Sequence, residues 1–286
     1  MITGKTKLLG VIGSPIAHSL SPIMHNAAIA HLGLDYVYLP FLVEPALLKQ
    51  AIDGFAAIDL HGFNITIPHK QAILPLLTEI SSIGQTIGAV NTVWRTENGW
   101  SATNTDVSGF LHPLSALKRD WSQTTAVVLG NGGAARAVVA GCIQLGCAAI
   151  QVVGRDAQKL EHFLHSWMAS LAANVQIHTW ANLPNLLPHA DLLVNTTPIG
   201  MSPHIERSPL SAQDADHLAP NVIAYDLIYN PSPTMFLQQA RDRGAIAIDG
   251  LEMLVQQGAA ALEIWLQQPV SVDVMRRSLK QHLRLQ

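Results

Sequence analysis

TAVVLGNGGAARAV, residues 125 to 138, decides the fold. A run of apolar, β-prone residues meets a cluster of glycines, and a helix-forming stretch follows at once, which is the strand, turn and helix of a dinucleotide-binding unit. Gly130 suits the tight turn and Gly132 the close approach of backbone to a pyrophosphate. Asn131, Gly133 and Ala134 complete the loop and the first helical turn. There the unpaired N–H groups and the helix dipole favour an anion. Ala135 takes the third glycine position of GxGxxG, where helix-on-strand packing asks only for a small residue.

Outward from that unit, AAIQVV (148–153), VQIH (175–178), DLLVN (191–195), VIAYDL (222–227) and AIAID (245–249) read as further strands with helices between them. Six strands in this pattern predict a doubly wound domain over residues 108–250. Toward the N-terminus, LLGVIG (8–13), YVYLPFL (36–42), GFNITI (62–67) and AVNTVW (89–94) alternate with helices. The clearest helix starts at Ser21, read as its N-cap with Pro22 at the first helical position, and stops near Gly33. Others run from Glu44 to about Ala57 and from His69 to about Leu77. This alternation predicts an α/β domain with a mainly parallel sheet over residues 1–107. The tail from Leu251 is helical, with Leu254, Gly258, Ala261, Ile264 and Trp265 at three- and four-residue spacing. Periodicity alone leaves open which domain it joins.

Length and composition agree with two folded α/β domains. The chain has 286 residues, of which 49% are hydrophobic and 13% charged, too apolar for a disordered chain. Lys+Arg 17 against Asp+Glu 20 gives a formal charge of -3, which offers no bulk attraction to nucleic acid or anionic lipid. Cys142 and Cys147 lack metal-ligand spacing and read as small hydrophobes in a reducing compartment, so no metal is expected. The apolar runs Leu8 to Ile12 and Ala137 to Ile150 are too short for an export signal and a membrane span respectively. The expectation is a cytoplasmic protein with a small-molecule partner, as a monomer or homodimer.

Cofactor choice is read at the end of the second strand of the doubly wound domain, in VVGRDAQK (152–159). Beyond Gly154, Arg155 and Lys159 could grip a ribose 2′-phosphate, which favours NADP. Asp156 could instead accept from a free 2′-hydroxyl, which keeps NAD open. In the N-terminal domain, HSLSP (18–22) sets Ser19 and Ser21 at a helix start, a natural seat for a carboxylate. NITIPHK (64–70) carries Thr66 and projects Lys70 from a strand's carboxyl end, where open α/β sheets form clefts. GAVNTV (88–93) and TNTDVSG (103–109) supply Asn91 and Asp106.

The set SxSP, NxTxPHK, GAVNT, NTDxxG, GxGGAARA, NTTPxGM (195–201), DLIYNPxxT (226–234) and DGLEMLVQQGA (249–259), in this order, resembles the shikimate dehydrogenase family across nearly the whole chain. The resemblance implies a catalytic domain of residues 1–107 completed by 251–286, an NADP domain between, and an active site in the cleft. It implies reversible NADPH-dependent reduction of 3-dehydroshikimate to shikimate, with Lys70 and Asp106 as catalytic pair. Ser19 and Ser21 would bind the substrate carboxylate, and Thr66, Asn91, Asp106 and Gln257 its ring hydroxyls, with Tyr229 nearby. Gly250 and the backbone around Leu227 would line the nicotinamide site.

Two departures stand out: Gly154-Arg155-Asp156 where the family commonly has Asn-Arg-Thr, and Leu227 where methionine is frequent. An NAD-preferring quinate/shikimate enzyme and a non-catalytic regulator responding to dinucleotide or shikimate remain alternatives.

Overall fold

The computed structural model describes residues 2–167 and 173–285. The chain divides into two compact units, Met1–Gly109 with Leu254–Gln286, and Phe110–Met253.

In the first unit the strands are β1 (Lys7–Gly13), β2 (Tyr36–Leu42), β3 (Gly62–Ile65), β4 (Glu79–Ile80), β5 (Thr92–Thr96) and β6 (Gly99–Thr103). They form one sheet in the order β2-β1-β3-β5-β6-β4. β1 is parallel to β2 and β3, and β4 is parallel to β6. β5, however, runs antiparallel to both β3 and β6. The strand expected at 89–94 therefore begins later and turns back through a hairpin whose register pairs Thr96 with Gly99. Its signal is present in the sequence: Glu97-Asn98 form the two-residue turn, and Gly99 follows with φ +131, a backbone that favours glycine.

The helices of this unit are α1 (Ser21–His31), α2 (Leu48–Ala57), α3 (His69–Ala72) and α4 (Ser82–Ile87), with α5 opening at Asp106 and running to Ser115. Ser21 is not a cap. Leu20 holds the N-cap position with no side-chain cap hydrogen bond, and it is the Ser19 hydroxyl that accepts the Ser21 N–H, at 3.3 Å. With Pro22 already lacking an N–H, the helix start has one fewer donor to satisfy.

The C-terminal tail forms two helices, written below as α11 (Leu251–Leu266) and α12 (Val272–Leu283). Its residues from Leu254 onward join the first unit. Trp265 explains why: its indole nitrogen donates to Val93 O at 2.9 Å, and its ring packs against Gly62. A Cβ at Gly62 would sit 2.2 Å from that nitrogen, so only glycine lets the ring reach the strand.

The second unit contains β7 (Thr125–Leu129), β8 (Ala149–Gly154), β9 (Val175–Thr179), β10 (Leu192–Asn195), β11 (Ile223–Asp226) and β12 (Ile246–Ile248). Their order is β12-β11-β10-β7-β8-β9, and every pairing is parallel. This is the doubly wound order, with its topological switch between β7 and β10. The intervening helices include α6 (Gly133–Leu145), α7 (Ala157–His165), α8 (Leu183–Leu186), α9 (Ala212–Asp216) and α10 (Met235–Asp242). The centre of the sheet is dry: Val127, Leu129, Leu193 and Ala224 are fully buried beside Leu183, Phe236 and Leu237. Strands buried on both faces read as continuous apolar runs, which is why this half is so legible from sequence.

Among the described residues no helix is long and apolar enough to cross a membrane, and no cluster of His, Cys, Asp or Glu could hold a metal ion. Cys142 and Cys147 are free and buried.

Candidate active site

Lys70 and Asp106 meet although 36 positions separate them. Lys70 Nζ donates to Asp106 Oδ2 at 2.5 Å, with side chains only 14% and 7% exposed. Three local features make this contact. β3 ends at Ile65, and the short helix α3 carries Lys70 beyond the strand's carboxyl end. Val90 N donates to Lys70 O at 2.9 Å, tying that turn to the segment bearing Asn91. Asp106 opens α5, and its N–H is held by Asn104 Oδ1 at 3.0 Å, so the carboxylate sits where the helix dipole favours negative charge.

Asn91 is the hub beside this pair. Its Nδ2 donates to Asp106 Oδ1 at 2.8 Å and reaches Gln257 Oε1 at 3.2 Å. Its Oδ1 accepts from Thr105 N at 2.8 Å and Thr92 Oγ1 at 3.0 Å, and its backbone carbonyl accepts from Ile65 N at 2.8 Å. Both carboxylate oxygens of Asp106 are thus engaged, one by a cation and one by an amide, an arrangement that stabilises a buried charge. Gln257 reaches the hub from α11, where its Nε2 also donates to Leu254 O at 2.8 Å.

Ser21 is buried and Ser19 half-buried, two residues apart where α1 begins. Thr66, half-buried, follows β3, and its Cγ2 packs over Gly13 at the end of β1. Sequence reasoning missed Asn64, Thr105 and Tyr38. All three are buried and lie in hydrogen-bond contact with the expected residues or their neighbours. The first letter of NITIPHK was the available signal for Asn64.

In the second unit the glycine loop has the geometry that a dinucleotide needs. Gly130 has φ +112, a value side chains avoid, and a Cβ there would lie 2.6 Å from Thr196 Oγ1. Gly132 caps α6 without a side-chain bond, and nothing lies within 4 Å of where its Cβ would be. Asn131 is half-buried next to it, and Gly133 and Ala134 form the first helical turn. Ala135 is fully buried.

At the end of β8, Gly154 and Asp156, which depart from the Asn-Arg-Thr pattern, each have a physical cause. A Cβ at Gly154 would lie 2.9 Å from Leu160 Cδ2, so the space is already filled. Asp156 is the N-cap of α7, accepting the Lys159 N–H at 3.1 Å. Arg155 and Lys159 are exposed, and neither pairs with a carboxylate among the described residues.

The segment after β11 is fixed by a buried carboxylate. Asp226 Oδ1 accepts from Asn195 Nδ2 at 3.0 Å and Ile228 N at 3.1 Å, and Oδ2 accepts from Thr234 Oγ1 at 2.6 Å. Burial nevertheless dominates and pushes its pKa up to about 6. Leu227 N donates to Asn195 O at 3.1 Å. Gly250 lies against this segment so closely that a Cβ would be 2.1 Å from Leu227 O. Tyr229 is half-buried in the same segment.

Residues 11–93 match the model of the shikimate dehydrogenase substrate-binding domain, and residues 250–280 that of the shikimate 5′-dehydrogenase C-terminal domain. The shikimate dehydrogenase (NADP(+)) of Trichormus variabilis is 65% identical over 288 aligned residues, covering 100% of both chains. A shikimate dehydrogenase solved in complex with NADP+ is 37% identical with TM-score 0.89, covering 99% of this chain and 98% of that one. The Listeria monocytogenes shikimate 5-dehydrogenase, solved in complex with shikimate and NAD, is 33% identical with TM-score 0.84, covering 97% and 98%.

Proposed function

The chain belongs to the shikimate dehydrogenase family, and from that membership we propose how its residues divide the work. It is an NADP-dependent oxidoreductase that interconverts 3-dehydroshikimate and shikimate, in the biosynthesis of aromatic compounds. The reading of the site rests on the buried Lys70–Asp106 pair, a cation and a carboxylate held together beside the hydrogen-bonding side chains of Asn91 and Gln257.

NADP supplies the hydride for reduction and accepts it in oxidation. The residues present fit the dinucleotide: Gly130, Asn131, Gly132, Gly133 and Ala134 leave the α6 N-terminus uncovered for the pyrophosphate. Arg155 and Lys159 would hold the 2′-phosphate, with Gly154 and Asp156 shaping that subsite, and Leu227 and Gly250 would offer bare backbone to the nicotinamide end.

Lys70 stabilises negative charge developing on the carbonyl oxygen and passes it a proton from Nζ; in the reverse direction Nζ receives the hydroxyl proton. Asp106 orients Lys70 and the reacting hydroxyl. Asn91, Gln257 and Thr66 hold the ring hydroxyls, and Tyr229 lies beside the ring. Ser19 and Ser21 donate to the substrate carboxylate, a charge-assisted contact made equally in ground and transition states. The buried free thiols support a reducing, cytoplasmic setting.

The test is NADPH appearance when the purified protein meets shikimate and NADP, compared with NAD and with quinate. Turnover with shikimate and NADP supports the reading, and absence of turnover rejects it. Asp156 favours one second reading, a chain that also accepts NAD, because a carboxylate fixed at the α7 start suits a free ribose hydroxyl.

A further inference from the structure

Tyr38 belongs to none of the motifs above, yet it is fully buried in β2 with a polar atom that needs partners. Its hydroxyl donates to Asn64 Oδ1 at 2.7 Å. Its backbone is held from α1: Tyr38 N donates to Asn26 Oδ1 and Asn26 Nδ2 donates to Tyr38 O, both at 2.9 Å. That amide stands in for a neighbouring strand on the outer edge of β2. The ring stacks on His25, with centroids 4.1 Å apart and planes 11° from parallel. His25 Nδ1 in turn donates to Ser21 O at 2.8 Å. Main chain, ring and hydroxyl of Tyr38 are therefore all fixed.

From Asn64 the network continues inward. Asn64 Nδ2 donates to Asn91 O at 3.0 Å and Thr92 Oγ1 at 3.1 Å, and Asn91 Nδ2 donates to Asp106 Oδ1 at 2.8 Å. Ser21, Tyr38, Asn64, Asn91, Thr92 and Asp106 are all buried. In such surroundings hydrogen bonds are strong and an unmet partner is costly, so the chain of bonds holds one arrangement.

We propose that Tyr38 is a positioning residue whose hydroxyl, bonded to Asn64, fixes the amide that supports Asn91 and so the carboxylate of the Lys70–Asp106 pair. It touches neither substrate nor cofactor. It acts by holding Asn64 in the one orientation that serves both the Asn91 carbonyl and the Thr92 hydroxyl. The proposal rests on the reading that Lys70 and Asp106 are the catalytic pair.

Tyr38→Phe removes one oxygen and keeps the ring. The expected result with shikimate and NADP is a fall of about three- to tenfold in kcat/KM for shikimate, with KM for NADP unmoved. The decisive step is the cycle with Asn64→Ser, which lowers kcat/KM by itself. In that background the added Tyr38→Phe changes kcat/KM by less than about twofold, because the amide it positions is gone. A full multiplicative penalty in both backgrounds, or an unchanged kcat/KM in Tyr38→Phe alone, overturns the proposal. A Lys70→Ala protein with near-normal turnover rejects the catalytic pair itself, and the proposal with it. Should Tyr38→Phe fail to fold, Asn64→Asp keeps an acceptor for the phenol and loses the donor to Asn91 O; it is expected to lower kcat/KM with KM for NADP unmoved, and unchanged kcat/KM overturns the proposal.

Discussion

Asp106 spends one carboxylate oxygen on Lys70 Nζ, at 2.5 Å, and the other on Asn91 Nδ2, at 2.8 Å. Ammonium and amide thus bracket one buried anion, and removing the anion leaves a buried cation without its counter-charge. Asp106→Asn is expected to lower kcat by about two to three orders of magnitude and the unfolding free energy by about 3 kcal/mol. Steady-state kinetics and urea unfolding read the two effects. Unchanged values of both would show that the contact carries neither role.

Ser19→Ala is expected to raise KM for shikimate about tenfold or more, as the loss of a hydrogen bond to a charged group would, with kcat nearly unchanged. An effect confined to kcat would remove Ser19 from the carboxylate seat.

Asp156 does two things that a substitution can separate. Asp156→Ser keeps an oxygen to cap α7 and removes the charge, so the preference for NADP over NAD in kcat/KM is expected to rise by about three- to tenfold. Asp156→Ala loses the cap as well and is expected to cost about 1 kcal/mol of stability. A selectivity that does not move in Asp156→Ser would show that the carboxylate plays no part in choosing the cofactor.

Two buried groups give the units opposite responses to acid. Burial lowers the His25 pKa from 6.5 to about 4, so the unfolded chain binds the proton first and the first unit loses stability as pH falls from 6.5 toward 4. Burial raises the Asp226 pKa from 3.8 to about 6. Here the native state holds the proton, so the second unit loses stability as pH rises from about 4 to 6. Each contribution is on the order of 3 kcal/mol. Hydrogen exchange measured separately in residues 2–109 and 110–253 across this range checks both signs. Slopes of the same sign in the two units would contradict the assignment.

The doubly wound unit was legible because buried parallel strands are written as unbroken apolar runs and its glycine loop is local in sequence. The Ser21 cap was misread because the helix begins one residue earlier: the Ile23 and Met24 N–H groups that a Ser21 cap would serve donate to Leu20 O. The Thr92–Thr103 hairpin was missed because Arg95 and Thr96 break the apolar run, leaving only Glu97-Asn98 before Gly99 as its signal. Lys70 and Asp106 stood out through their motifs. The pairing of Tyr38 with Asn64 has no local signature, since an alternating strand looks the same whether or not its buried tyrosine finds a distant amide.

The most direct measurement is single-turnover and steady-state kinetics of Lys70→Ala with shikimate and NADP, alongside NADP binding by fluorescence. The account predicts kcat lowered by about two to four orders of magnitude with NADP affinity retained. Near-normal turnover in that variant would contradict it, and the proton would have to be carried by another group.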